Sequence, residues 1–166
     1  MFISVLEMSK IIYTDTIKLY LGDIFDANDE VTLNERSIQS IICVAGDVCV
    51  KLNPSRFVIY KYDLQDTHEC NISVYFDEIA DLIHNQKAAV LVNCFAGVSR
   101  SASFVIAYLM KYYDMDLRSA FLYVRNRRNQ ICPNKQFMTY LHEYEFKLFG
   151  VNSITYDECV RLFYYT

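Results

Sequence analysis

The order of apolar patterns along this chain predicts an α/β fold with a central, mostly parallel sheet flanked by helices. Short apolar runs with strand character come early, and stripes of helical period come late. A helical stripe also stands directly before the last strand-like run, as the crossover to a parallel neighbour requires. The chain has 166 residues, 53% of them hydrophobic, and 14 Tyr and 11 Phe against 4 Gly and 2 Pro. That composition supports a packed core and excludes a linker-rich or disordered chain. A single domain over residues 1–166 is expected.

Residues 10–13 and 16–21 read as β-rich pieces hinged at Asp15, and Gly22-Asp23 opens a short helical stretch as far as Asp29. Residues 37–45 form a strand whose continuous apolar end implies burial on both faces. Residues 56–62 alternate in polarity and suit a neighbouring strand. From Asn71, a plausible N-cap, the period changes: Ile72, Tyr75, Phe76, Ile79 and Ile83 share one helical stripe. A strand at 88–92 is followed by a loop and then by a helix over 101–113 that is apolar nearly all round and so belongs in the core. Leu117, Ala120, Phe121 and Val124 mark another helix. Phe137, Leu141, Tyr144 and Leu148 mark the last long one, with Pro133-Asn134 before it and Gly150 as its stop. The aromatic appendix 151–166, ending in Phe163-Tyr164-Tyr165, packs back as a short helix or meets a partner; packing onto the domain is the expected outcome.

A net charge of -4 provides no global field for nucleic acid or anionic membrane, so anion recognition has to be local. The segment Met1-Phe2-Ile3-Ser4-Val5-Leu6-Glu7 lacks a basic n-region and meets charge early, which argues against a signal peptide. Phe2 excludes N-myristoylation, Tyr165-Thr166 carries no prenylation cysteine, and no apolar run reaches membrane-spanning length. The expected setting is cytoplasmic, with the nucleus as a second location. Cys43, Cys49, Cys70, Cys94, Cys132 and Cys159 are irregularly spaced and read as free thiols. With no Cys-x-x-Cys pair and with His68, His84 and His142 scattered, neither a metal nor another cofactor is expected.

The chemistry concentrates at Asn93-Cys94-Phe95-Ala96-Gly97-Val98-Ser99-Arg100-Ser101, between the strand at 88–92 and the core helix. A phosphoryl group needs donors aimed at its equatorial oxygens and a nucleophile in line with phosphorus. The turn over Phe95, Ala96, Gly97, Val98 and Ser99 can direct backbone N–H groups inward, and a helix N-terminus behind it adds positive potential. Arg100 supplies a planar, permanently charged fork for the same oxygens. That field favours the thiolate of Cys94 over the thiol, and Ser101 can donate a hydrogen bond to the sulfur when it becomes the leaving group. Attack by Cys94 would give a phosphocysteine, which water then hydrolyses. The alternative for a bare Cys-x₅-Arg spacing is a small buried cysteine at a strand end.

At these residues the chain resembles the cysteine-dependent protein phosphatases, and within them the small dual-specificity phosphatases. The loop is similar to that family's His-Cys-x-x-Gly-x-Ser-Arg-Ser signature, continued by Ala107-Tyr108-Leu109-Met110. Leu19-Tyr20-Leu21-Gly22, Asp26-Ala27, Val124-Arg125-Asn126-Arg127-Arg128 and Pro133-Asn134-x-x-Phe137 look like further family positions, so the likeness covers residues 10–149. The resemblance implies a general acid on a loop before the cysteine. The stretch from Asp66 to Phe76 matches that loop and points to Asp66, with Asp63 as runner-up and Glu69 third. It further implies a shallow cleft admitting phosphotyrosine and phosphoserine/threonine, and a phosphoprotein partner, a signalling kinase among the candidates.

One position departs from the pattern. Asn93 stands where the family has His; it can donate and accept hydrogen bonds but carries no positive charge. A slower enzyme is expected, not an inactive one. The uncharged loop positions Phe95, Ala96 and Val98 disfavour polyanionic lipid headgroups and RNA 5′-triphosphate as substrates. Arg125, with Arg127 and Arg128, is either a solvated helix end or a receptor for a second phosphate or an acidic flank. Two other readings stay open at this point: a phosphate-binding pseudophosphatase or interaction module, and an RNA 5′-phosphatase. Oligomeric state is not legible.

Overall fold

The structure, a computed structural model, describes residues 8–13 and 17–161. Five strands form one sheet in the order β1-β2-β5-β3-β4: β1 (Ser9–Tyr13), β2 (Lys18–Gly22), β3 (Ile38–Cys43), β4 (Val58–Lys61) and β5 (Ala89–Asn93). β1 runs antiparallel to β2, and all the other pairings are parallel. The expected sheet is therefore present, with its antiparallel pair at one edge. The hinge expected at Asp15 lies outside the described residues.

Six helices complete the described chain: α1 (Glu30–Glu35), α2 (Phe76–His84), α3 (Arg100–Tyr113), α4 (Leu117–Arg125), α5 (Lys135–Phe149) and α6 (Tyr156–Arg161). The stretch expected to be helical from Gly22 to Asp29 is mostly a turn, with a single 3-10 turn at Asp26–Asn28. Asn71 is not the N-cap: Ile72 precedes the 3-10 turn Ser73–Tyr75 and Tyr75 precedes α2, while Asn71 Oδ1 accepts from Ser73 N at 3.1 Å one residue further out. α4 and α5 are capped by Asp116 and Asn134, whose side chains accept from Ser119 N and Phe137 N. Gly150, at φ 73°, ends α5 in the left-handed region that glycine enters without a steric cost.

The two faces of the sheet are unequal. The larger cluster joins Leu19, Leu21, Ile42, Val90 and Val92 to α2, α3, α4 and α5, with Phe76 set edge-on to Phe104 at 5.6 Å between ring centroids. The smaller gathers Tyr20, Ile41 and Leu91 against Leu33 of α1 and Phe57. Every residue from Arg100 to Met110 is buried, so α3 runs through the core as its apolar composition requires. The tail packs back as far as it is described: Ile154 and Cys159 join the larger cluster. Phe163, Tyr164 and Tyr165 lie outside the described residues. Among the described residues no helix is long and apolar enough to cross a membrane.

Candidate active site

The parallel register brings Gly22, Asn93 and Cys43 level at one edge of the sheet. The loops after β2, β3, β4 and β5 all leave from that edge, which is where open parallel sheets assemble ligand sites. The sequence-predicted residues meet there with partners from far along the chain.

The turn between β5 and α3 is held from outside by its carbonyls. Phe95 O accepts from Ile24 N at 3.1 Å, and Val98 O accepts from Cys132 N at 2.8 Å. Between them, Gly97 O accepts from Arg128 Nε at 2.8 Å and Ala96 O from Arg128 Nη2 at 3.3 Å. The peptide bonds are trans, so each N–H points away from the preceding C=O. Four anchored carbonyls thus turn the N–H groups of Ala96, Gly97, Val98 and Ser99 to the opposite, concave side. Gly97 sits at φ 66°, and a Cβ there would stand 2.5 Å from Arg128 Nη2 and 2.6 Å from Gly22 O. Both the backbone angle and the close approach require glycine.

Cys94 is buried at the start of this turn, and Ser101 Oγ lies 3.1 Å from its sulfur. Arg100, 3% exposed, opens α3. Its Nη1 donates to Asp47 Oδ1 at 2.5 Å and to Leu64 O at 2.9 Å. Its Nε faces Asp66 Oδ2 at 3.7 Å and makes no hydrogen bond. Burial works against the guanidinium's charge, but Asp47, with Cys94 and Asp66, outweighs it and moves its pKa up. Reciprocally, Arg100 holds the Asp47 carboxyl below its ordinary range. Asn93 is fully buried and does not touch the Cys94 sulfur: its Nδ2 donates to Cys94 O at 3.2 Å and lies 3.8 Å from Cys43 Sγ, while its Oδ1 has no partner.

Asp66 reaches this centre from the loop after β4. Its Oδ1 accepts from Ser99 Oγ and from Asn134 Nδ2, both at 2.9 Å. Ser99 Oγ in turn accepts from Asn134 N at 3.1 Å. Asp63 instead lies over Gly46, and Glu69 pairs with Thr67 on its own loop. Phe95 is 55% exposed beside the turn. Arg125 stands over the Phe121 ring and Arg127 over the Tyr123 ring, whereas Arg128 is buried against the turn. Asp47, Asn134 and Arg128 also belong to this centre, in roles the sequence does not show. Asp47 carries no local signal. Asn134 shows as a helix cap, and Arg128 as one member of a basic run.

Residues 19–147 match the family model described as "Dual specificity phosphatase, catalytic domain". The chain is 38% identical over 142 residues to human dual specificity protein phosphatase 21, covering 84% of this chain and 74% of the relative. It is 39% identical over 142 residues to mouse dual specificity protein phosphatase 14, with 84% and 71% covered. Among solved structures, the human tyrosine phosphatase-like serine/threonine/tyrosine-interacting protein aligns at TM-score 0.73 and 34% identity, covering 84% of this chain and 95% of that one. Human DUSP28 aligns at TM-score 0.78 with 23% identity, over 85% and 94% of the two chains, a likeness of fold. With the family model matched over residues 19–147, and relatives matched over most of their own length, the chain belongs to the dual-specificity protein phosphatases.

Proposed function

We propose that this protein removes phosphate from phosphotyrosine and phosphoserine/threonine of proteins by way of a phosphocysteine. Cys94 attacks phosphorus as the bond to the substrate oxygen breaks, and Asp66 in its acid form gives its proton to that departing oxygen. The inward N–H groups and Arg100 Nε take the charge of the equatorial oxygens. In the second step water attacks phosphorus, Asp66 receives a proton from it, and the P–S bond breaks. The sulfur leaves as thiolate towards Ser101, and inorganic phosphate is released.

The observation that carries this reading is the meeting of Cys94, Ser101, Arg100 and Asp66 around one concave turn, with Arg100 Nε lacking a hydrogen-bond partner on that side. A protein substrate suits the uncharged loop side chains Phe95, Ala96 and Val98 better than a polyanion does, and Asp47 at the rim adds to that preference. Hydrolysis of p-nitrophenyl phosphate and of a phosphopeptide panel tests the reading. Cys94→Ser is expected to abolish turnover, and Asp66→Asn to lower kcat on the order of a hundredfold or more. Phosphopeptide binding without turnover by the wild type would overturn it in favour of a binding module.

A further inference from the structure

The basic run Arg125, Arg127 and Arg128 does not act as one surface. The first and third of these side chains part company: Arg125 covers an aromatic ring of α4, and Arg128 turns inward to 3% exposure. A guanidinium so buried, with Nε and Nη2 both committed to loop carbonyls, is not placed to receive a second substrate phosphate.

Its partners are the two carbonyls at the centre of the phosphate turn. The outer carbonyls, Phe95 O and Val98 O, are held by backbone amides, which no side-chain substitution removes. The inner two, Ala96 O and Gly97 O, are held by Arg128. They flank Gly97, the residue with the least intrinsic resistance to a flip of its peptide units. Each such flip would turn a carbonyl oxygen towards the incoming anion in place of an N–H.

Behind Arg128 lies a buried acid. Asp26 accepts from Met8 N and from Asp23 N, each at 2.9 Å, and its Oδ2 would stand 2.6 Å from a Cβ placed on Gly22. Gly22 O in turn is the backbone atom packed against Gly97. Turn, strand end, carboxylate and guanidinium therefore form one continuous stack. Among the described residues, Asp26, Asp23 and Cys94 are charged or titratable groups within electrostatic reach of Arg128.

We propose that Arg128, backed by Asp26, is a positioning residue that holds the central two peptide units of the phosphate turn with their N–H groups facing the substrate. The proposal rests on the reading of residues 94–101 as the phosphate-binding turn. Burial pushes the Asp26 carboxyl up to about 6 against the pull of its backbone donors and Arg128, so the pair becomes doubly charged as the pH rises through that value.

The test uses Arg128→Lys, Arg128→Met and the double variant Arg128→Met/Asp26→Asn, which removes the buried charge that the single change strands. Thermal midpoint, kcat and KM for p-nitrophenyl phosphate, and the inhibition constant of orthovanadate are measured for each. The expected result for Arg128→Met is at least a tenfold loss in both kcat and orthovanadate affinity. In the double variant the midpoint recovers towards wild type while kcat and orthovanadate affinity do not; a merely structural arginine would recover all three together. Arg128→Lys keeps the charge but lacks the planar fork whose separate Nε and Nη2 reach the two carbonyls, and is expected to lose at least threefold in orthovanadate affinity. Wild-type kcat and orthovanadate affinity in the double variant overturn the proposal. If that variant does not fold, Arg128→Lys within twofold of wild type on both measures overturns it. A wild type that neither turns over substrate nor binds orthovanadate removes the reading of the turn, and the brace with it.

Discussion

A histidine at position 93 would bring a titratable ring to the start of the turn, whereas Asn93 brings a neutral amide whose oxygen is buried without a partner. Its nitrogen supports the carbonyl of Cys94 and leaves the sulfur to Ser101. On the proposed mechanism the change removes electrostatic support and leaves Cys94 and Ser101 in place. Asn93→His is therefore expected to turn over p-nitrophenyl phosphate on the order of threefold faster. Equal or lower turnover, with the fold intact by circular dichroism, would count against the account. The residue scale is also where the sequence ran out. Asp47 lies 53 positions from Arg100 and Arg128 lies 31 from Gly97, and neither pair announces itself through spacing or period. Ser99 was legible as a turn hydroxyl, but its role in tying Asp66 to Asn134 depends on a contact across 33 residues. What the pattern did reveal was the pairing of Cys94 with Arg100, because both sit on one local turn.

Elements were more legible than residues because burial imposes a period. β3, β5 and α3 declare themselves by continuous apolar runs, and α2, α4 and α5 by stripes. α1 escaped notice because it is six residues long, includes Val31 and Thr32, and buries Leu33 alone. At this scale the contact of α2 with α3 and α5 carries its own prediction. Burial alone would raise the pKa of Asp77, but hydrogen bonds from Lys147, Lys111 and Tyr144 overcome it and hold the carboxyl well below its ordinary range. A depressed folded-state pKa stabilises the protein above the unfolded value, and that contribution fades as the pH falls below it. The side chain is 44% exposed, so solvent screening limits the contribution to on the order of 1 kcal/mol. Asp77→Asn should therefore lower the urea midpoint at pH 7, with a smaller difference from wild type at pH 3. An equal difference at both values would refute the ion pairs as its source.

On the scale of the whole molecule, the sheet explains why chemistry gathers at one edge. Four strands running in parallel send their following loops to the same side. Gly22, Asp47, Asp66 and Cys94 are thereby neighbours although they span much of the chain. Strand order cannot be read from periodicity, since a buried strand looks alike wherever it lies in the sheet. The tail shows the converse. Its aromatic composition left packing and partnering both open, and the contacts of Ile154 and Cys159 with the larger cluster resolve the described part as packing.

The buried carboxylate of Glu145 receives Leu117 N at 2.8 Å, Ser153 N at 3.1 Å and Asn152 Nδ2 at 3.4 Å, and so fastens the start of α4 and the segment after Gly150 to a single side chain. The family match ends at residue 147, yet this anchorage extends beyond it. A protein cut after Gly150 would leave Glu145 short of two donors and open the seat of Ile154 and Cys159 to water. Burial of one large aliphatic side chain is worth about 2 kcal/mol, so the shortened form is expected to melt at least several degrees lower. An unchanged midpoint in differential scanning calorimetry would show the appendage to be dispensable. A boundary drawn by family likeness and one drawn by folding would then coincide; the hydrogen bonds of Glu145 set them apart, and put the shortest self-sufficient form of this phosphatase past residue 147, where the family match stops.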